Sequence, residues 1–419
     1  MKEFQVLGEL IEKRWRQANY SEQLFPEIAE QALKESNLPE RVDPWDVVRW
    51  VLNATALPDQ KDAEANFGNP PITLFVGPRF FVDLYFWLDG TTSIHQHAFT
   101  GAFQVMLGSS IHSRYSFSEK QTVSEHFSVG ELQLEEVQLL QKNSIRQIRA
   151  GRNFIHSLFH LDRPSATITV RTEHTPSSAV QYDYRKPYFA ANPFFRDQVM
   201  NKKLQTVGLL LGMKHKDTDE LLGDLITTSD FQTSYMVLER VFHFLRGNPM
   251  NSLFGLSTGD DRFAALMEKA RSVHGELVNL IPRVLEEQVR QHDIAQRRGS
   301  ITGEEHRFFL ALLLNVSSRE KILDLVKQRF PETDPVEKIL DWVEELSQTR
   351  VLGSSEPNAL GIEGFSDDHV IVLENLLRGV PPIGRESRSN TEQGGKLESL
   401  AGDLQNSTLF KGFLASRSS

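Results

Sequence analysis

From Ile72 to about Tyr188 the chain consists of short runs rich in β-branched and aromatic residues, and this segment most constrains the fold. The runs are Ile72–Val76, Arg79–Leu88, Ala102–Leu107, Val137–Leu140, Ile145–Ile148 and Ala166–Arg171. Turn dipeptides separate several of them, at Asp89-Gly90, Val129-Gly130 and Ala150-Gly151. Short strands with frequent turns predict a small antiparallel β-barrel or jelly roll.

The texture differs on both sides. Phe4, Leu7, Leu10, Ile11 and Trp15 recur at helical spacing, and Trp45, Val48, Trp50 and Val51 suggest a second amphipathic helix after Pro44. Beyond about Asn192 helical periodicity returns. Asp230 to Leu245 ends at the stop signal Gly247-Asn248-Pro249. Thr302 with Glu305, and Ser317 with Glu320, have capping-box spacing, and Asp334-Pro335-Val336-Glu337 offers an N-cap, a proline at N1 and an acid at N3. Ser366 opens a last helix that stops near Gly379, before Pro381-Pro382. The expected class is α+β. An N-terminal helical segment (1–65) precedes the β-barrel (66–191), an all-α domain (192–382) and a disordered tail (383–419) rich in Ser, Gly, Asn and charge. Within that tail Leu397 to Leu414 forms an amphipathic patch suited to docking.

At 419 residues the chain exceeds one ordinary hydrophobic core, so several domains are expected. Its formal net charge of −10 argues against nucleic acid as a partner, because phosphate binding needs a basic face. The longest apolar run, Phe308 to Leu314, is too short to span a bilayer, so no membrane partner is expected. The N-terminus has no apolar stretch of the signal-peptide kind, and a cytoplasmic location is the default expectation. With no cysteine, disulfides, thiolate metal sites and cysteine nucleophiles are excluded, and any metal site must use histidine, carboxylate and water.

His95 and His97 are the pair that such a site would use. Side chains at i and i+2 of a strand share a face, and His156 from a neighbouring strand could complete three imidazole nitrogens around a divalent ion. A face of this kind leaves positions open for water, O₂ or substrate. Phe99, Phe103 and Phe154 are the nearest candidates for an apolar lining.

The segment from Gly90 to Gly108 resembles the first signature of the cupin superfamily. His95 and His97 match its H-x-H pair and Gly108 its closing glycine. The opening glycine sits one residue too close, and the slot of the usual glutamate ligand falls on Gly101. The second signature is matched by His156 but has His160 where an asparagine is usual, and its proline and glycine are not in place. Within cupins, a three-histidine site without the glutamate is similar to the thiol dioxygenases. That resemblance implies ferrous iron held by His95, His97 and His156, with O₂ and a small molecule as co-substrates. The Cys–Tyr crosslink of some members cannot form here, and no arginine among Arg79, Arg152 and Arg171 is matched to their carboxylate-binding one, so the substrate does not carry over.

Tyr115, on the strand after Gly108, and Arg171 are the catalytic candidates; Gln104 and Thr169 lie nearby. Thr169 and Arg171 alternate with Ile168 and Val170 and share one face, either the barrel interior or a solvent-facing edge. The leading expectation is a non-haem Fe(II) oxygenase. Zinc, manganese or nickel suits the same face, and zinc would make a hydrolase or isomerase. The alternative is a metal-free or zinc cupin that binds a ligand or acts as a scaffold. His243, His274, His292, His306 and His369 show no metal-ligand spacing. The acidic helices around Arg319–Val326 and Pro335–Leu346 fit a role in homodimer formation or partner docking better than DNA reading.

Overall fold

A computed structural model describes residues 2–61, 68–88, 93–173, 180–246, 258–351, 356–380 and 391–414. Asp89-Gly90, Gly247-Asn248-Pro249 and Pro381-Pro382 lie outside them. The chain forms two compact units, one of residues 1–116, 134–179 and 290–419, the other of 117–133 and 180–289. This division is not the serial one that the texture suggested. The second half of the helical stretch belongs with the barrel strands because it packs on them.

In the larger unit, four N-terminal helices come first: α1 (Lys2–Gln17), α2 (Phe25–Ser36), α3 (Leu38–Arg41) and α4 (Pro44–Asn53). Asp43 caps α4 by accepting from the Trp45 N–H at 3.0 Å, with Pro44 at N1. Strands β1 (Pro71–Val76), β2 (Phe80–Trp87), β3 (Ile94–His95), β4 (Gly101–Leu107), β5 (Ser110–Ser124), β6 (Phe127–Leu140), β7 (Ile145–Ile148), β8 (Ile155–His160) and β9 (Ser165–Thr172) follow. One antiparallel sheet has the order β1-β2-β9-β4-β7. The other runs β3-β8-β5-β6, of which the Ser110–Ser116 and Leu134–Leu140 parts belong to this unit.

Strand periodicity sorts the side chains into layers. Val82, Leu84, Phe86, Ala102, Met106, Ala166, Ile168 and Val170 point outward from the first sheet and pack with Phe4, Leu7, Ile11, Trp15 and Phe25 of α1 and α2. On the second sheet Ile111 and Phe159 point outward and join the core of helices Glu304–Asn315, Arg319–Arg329, Pro335–Ser347 and Asp367–Arg378. Between the sheets Phe103, Val105, Leu140, Ile148, Phe154 and Leu158 form the apolar interior. Helices therefore cover each sheet on its outer face, and the space between the sheets is left for the site.

Several sequence expectations need correction here. Val129-Gly130 is not a turn but lies within β6, where a Cβ on Gly130 would meet the Ser118 carbonyl oxygen at 2.4 Å. Close approach of two backbones, not a reversal, explains that glycine. Thr302 does not cap: Gly303 is the N-cap, and Glu305 instead accepts from Trp342 Nε1 at 2.9 Å. Ser318, one residue after the expected Ser317, caps the next helix. Asp334 caps as read, accepting from Val336 and Glu337 N–H, and Gly379 ends its helix at φ 71°. The described part of the tail, expected to be disordered, is largely helical. Helices Thr391–Asn406 and Lys411–Leu414 are ordered, and Leu404, Leu409, Phe410 and Phe413 enter the core because their apolar stripe covers it.

In the smaller unit the far halves of β5 and β6 pair, and β11 (Phe189–Ala191) joins β6 with β10 (Asp183–Arg185) beside it. Phe127 and Phe189 pack with Phe231 and Tyr235 of the helix Phe231–Arg246. Arg185 donates to Tyr235 Oη at 2.7 Å and to Glu239 at 2.8 Å, pairing a half-buried charge.

Candidate metal centre

The strand pairing of the larger unit creates the site. His95 on β3 stands directly opposite His156 on β8, and directly opposed residues share a face. His97 follows two residues after His95, bridged to Ala150. The Gly151 N–H donates to the His97 carbonyl at 2.8 Å, from a turn in which Gly151 has φ 73°. A left-handed residue is needed there, and glycine adopts it without strain.

Among the described residues, the ligating side chains close enough to share an ion are His95, His97 and His156, whose donor atoms lie within 4.8 Å of one another. All three are buried. His97 Nε2 and His156 Nε2 are 2.8 Å apart. The outer nitrogens of His95 and His156 have partners. His95 Nδ1 lies 2.7 Å from the Ser93 carbonyl, an acceptor only, so this nitrogen donates and Nε2 keeps its lone pair. His156 Nδ1 lies 3.0 Å from His112 Nε2. Burial, then the nearby charges of His95 and Arg171, holds His97 well below the ordinary imidazole range. Burial does the same to His156, followed by its histidine neighbours and Arg114. His97 and His156 are thus held neutral, the form of imidazole that binds metal.

Aromatic rings enclose it. Phe99 lies 4.4 Å from the His97 ring, Phe154 4.6 Å from His156 and Phe103 6.3 Å from His156, centroid to centroid. Arg171 is opposite Gly101 on β4 and Phe81 on β2, so the Thr169–Arg171 face looks into the barrel and not to solvent. Its guanidinium carbon sits 4.3 Å over the Phe99 ring and 4.6 Å over Phe81. Arg171, Phe99 and His97 therefore form a continuous stack beside the triad, and a cation held between two rings keeps its charge in place.

Other candidates are elsewhere. Tyr115 pairs with Ile155, on the strand face opposite to that of His156, so it is not gathered with the triad. A one-residue offset on a strand reverses the face, which is why Tyr115 stands apart from the triad. Gln104 shares the outward face of Ala102 and Met106, and its Oε1 is buried without a hydrogen-bond partner. Arg79 lies over the Tyr20 ring near α1, and Arg152 is exposed. His160 ends β8 opposite Ser110. Its Nδ1 meets the Ser110 and Ser165 hydroxyls at 3.1 and 2.9 Å, and its ring stacks on Trp87 at 4.4 Å. Leu158 separates it from His156 along the strand, so it is not part of the metal-binding group.

Two features escaped the sequence reading. His112 touches a triad member, yet only the β5–β8 register brings it there; the local signal was an alternation of Ser110, His112 and Arg114. Gly101 is more than a missing ligand. A Cβ there would lie 1.9 Å from the Val170 carbonyl oxygen, so the adjoining backbone excludes any side chain, a glutamate included.

No family model matches the chain, and no curated protein matches it. Solved structures to which it is similar include a cupin-2 domain protein from Shewanella frigidimarina (12% identity, 32% of this chain and 99% of that one, TM-score 0.20). A hydroquinone 1,2-dioxygenase from a Sphingomonas species (11%, 27% and 71%, 0.21) and an oxalate oxidase (15%, 33% and 65%, 0.20) are further examples. The fold is a cupin-like β-barrel. Its two antiparallel sheets face each other across an apolar interior. Among the described residues no helix is long and apolar enough to cross a membrane.

Proposed function

We propose that this barrel is a metal-dependent oxygenase site of the three-histidine cupin type, acting on a small anionic molecule. The observation that carries the reading is the buried triad of His95, His97 and His156, with donor atoms within 4.8 Å of one another and with His97 and His156 held neutral by burial. The fit to a divalent ion is chemical: three imidazole nitrogens, no carboxylate and no thiolate suit ferrous iron first, with zinc, manganese or nickel as competitors. Ferrous iron held there would supply O₂ binding and activation. The chain's own residues would do the rest. His95, His97 and His156 would hold the ion, Phe99, Phe103 and Phe154 would exclude water, and Arg171 would attract and orient an anionic group of the substrate.

Protein prepared anaerobically with ferrous iron should carry one ion per chain and consume O₂ when supplied with members of a panel of small carboxylates, thiol-bearing ones included. His95→Ala should abolish metal binding and O₂ uptake, and Arg171→Met should weaken the response to carboxylates. Protein that holds no stoichiometric metal under these conditions would refute the proposal.

One observation favours a second reading. A separation of 2.8 Å is also the length of an N–H···N bond, so His97 and His156 can satisfy each other without an ion. A metal-free barrel that binds a ligand or serves as a scaffold fits that contact. Ligand binding that survives replacement of all three histidines would decide for it.

A further inference from the structure

We infer that His112 is a positioning residue that selects the metal-binding tautomer of His156 and does so without adding charge; this inference rests on the triad being a metal site. His112 is buried, and its Nε2 lies 3.0 Å from His156 Nδ1. Exactly one proton can occupy that contact. If His156 donates it from Nδ1, its Nε2 lone pair is free on the side where His97 Nε2 lies, 2.8 Å away. If His112 donates it from Nε2, the proton of neutral His156 sits on Nε2 and blocks the ligating position. The ring packing favours a fixed orientation: His112 lies edge-on to His156 at 5.2 Å, with Phe154 5.9 Å and Phe103 5.9 Å from His112, centroid to centroid.

Outer partners of metal-bound histidines are usually carboxylates, backbone carbonyls or water. A carboxylate in this place would push negative charge onto the ligand. Here His95 has a backbone carbonyl and His156 an imidazole, and both partners would leave the charge of an ion held there undiminished. Orientation and tautomer are secured, while attraction for an anion at the open positions is kept.

Metal titration of the purified full chain tests this, with Co(II) and anaerobic Fe(II) as probes and the visible Co(II) spectrum as a second readout. His112→Leu should weaken Co(II) affinity roughly 10- to 100-fold, as loss of such partners does elsewhere. His112→Gln, which can still accept from Nδ1–H, should recover most of it. In metal-free wild-type protein with ¹⁵N-labelled histidine, NMR should show the proton of His156 on Nδ1, a measurement that needs no variant to fold. Unchanged affinity in His112→Leu, or a His156 proton on Nε2, overturns the inference while leaving the metal site standing. Absence of Co(II) and Fe(II) binding by the wild type overturns the metal site itself, and the inference with it.

Discussion

His95 and His156 face each other directly across the β3–β8 pair, and their rings lie 4.7 Å apart. Two imidazoles in opposed positions of one antiparallel pair need no loop to bring them together, so the site is as rigid as the strands that carry it. His97 and the Gly151 turn add the third nitrogen from the side.

That rigidity makes metal binding a stabilising event. Ferrous iron, zinc or cobalt in excess should raise the melting temperature of the wild type, because a ligand that binds only the folded state adds about 2.7 kcal/mol at a hundredfold excess over its dissociation constant. His95→Ala and His156→Ala should each remove the shift. Thermal denaturation with and without metal checks this, and an equal shift in either variant counts against the assignment of that residue.

Gly101 should tolerate no side chain. Gly101→Ala places a Cβ 1.9 Å from the Val170 carbonyl, so β4 or β9 must move. Urea unfolding should show a loss of about 3 kcal/mol or more, at the upper end of overpacking costs. Gly101→Glu should destabilise at least as much and should not improve metal affinity. Wild-type stability in Gly101→Ala would show that the strands yield there.

His160 should make the fold acid-sensitive. Burial lowers its pKa to about 3, whereas the unfolded imidazole titrates near 6.5. Below pH 6.5 the unfolded chain takes up a proton that the folded chain refuses. The stability associated with neutral His160 is therefore complete above pH 6.5 and declines toward pH 3, by up to about 1.4 kcal/mol per pH unit. Urea midpoints of metal-free protein between pH 7.5 and 5 should fall less steeply in His160→Gln than in the wild type. Parallel slopes would mean that His160 takes up its proton in the folded state over the same pH range as in the unfolded chain.

Phe410 should matter to stability although it lies in the tail. It is fully buried among Leu404, Leu409 and Phe413, so Phe410→Ala should cost about 3–5 kcal/mol. A truncation that removes residues 391–419 should destabilise further. An unchanged urea midpoint in Phe410→Ala would place this segment off the core.

Much of this could be read from local patterns. Runs of β-branched and aromatic residues marked the five strands of the first sheet, period-3.6 spacing marked two of the N-terminal helices, and Asp334-Pro335 and Gly379 marked helix ends, because propensity and capping act over a few residues. The H-x-H pair and the later His156 were legible for the same reason. The long β5–β6 hairpin was not, since its polar middle has no apolar alternation to show which face is buried.

What only the tertiary structure decided is everything that depends on register and on packing between distant segments. Whether Tyr115 or Arg114 shares a face with His156 turns on a one-residue offset between β5 and β8, which no local pattern specifies. The same register carries His112 to His156 Nδ1, and the β4–β9 pairing sends Gln104 outward while Arg171 points in. The approach of Val170 turns Gly101 from a missing ligand into a position where none can stand. By itself the sequence determined which residues had the chemistry to bind a metal. Long-range strand pairing, driven by burial of the two sheets' apolar faces, decided which of them meet.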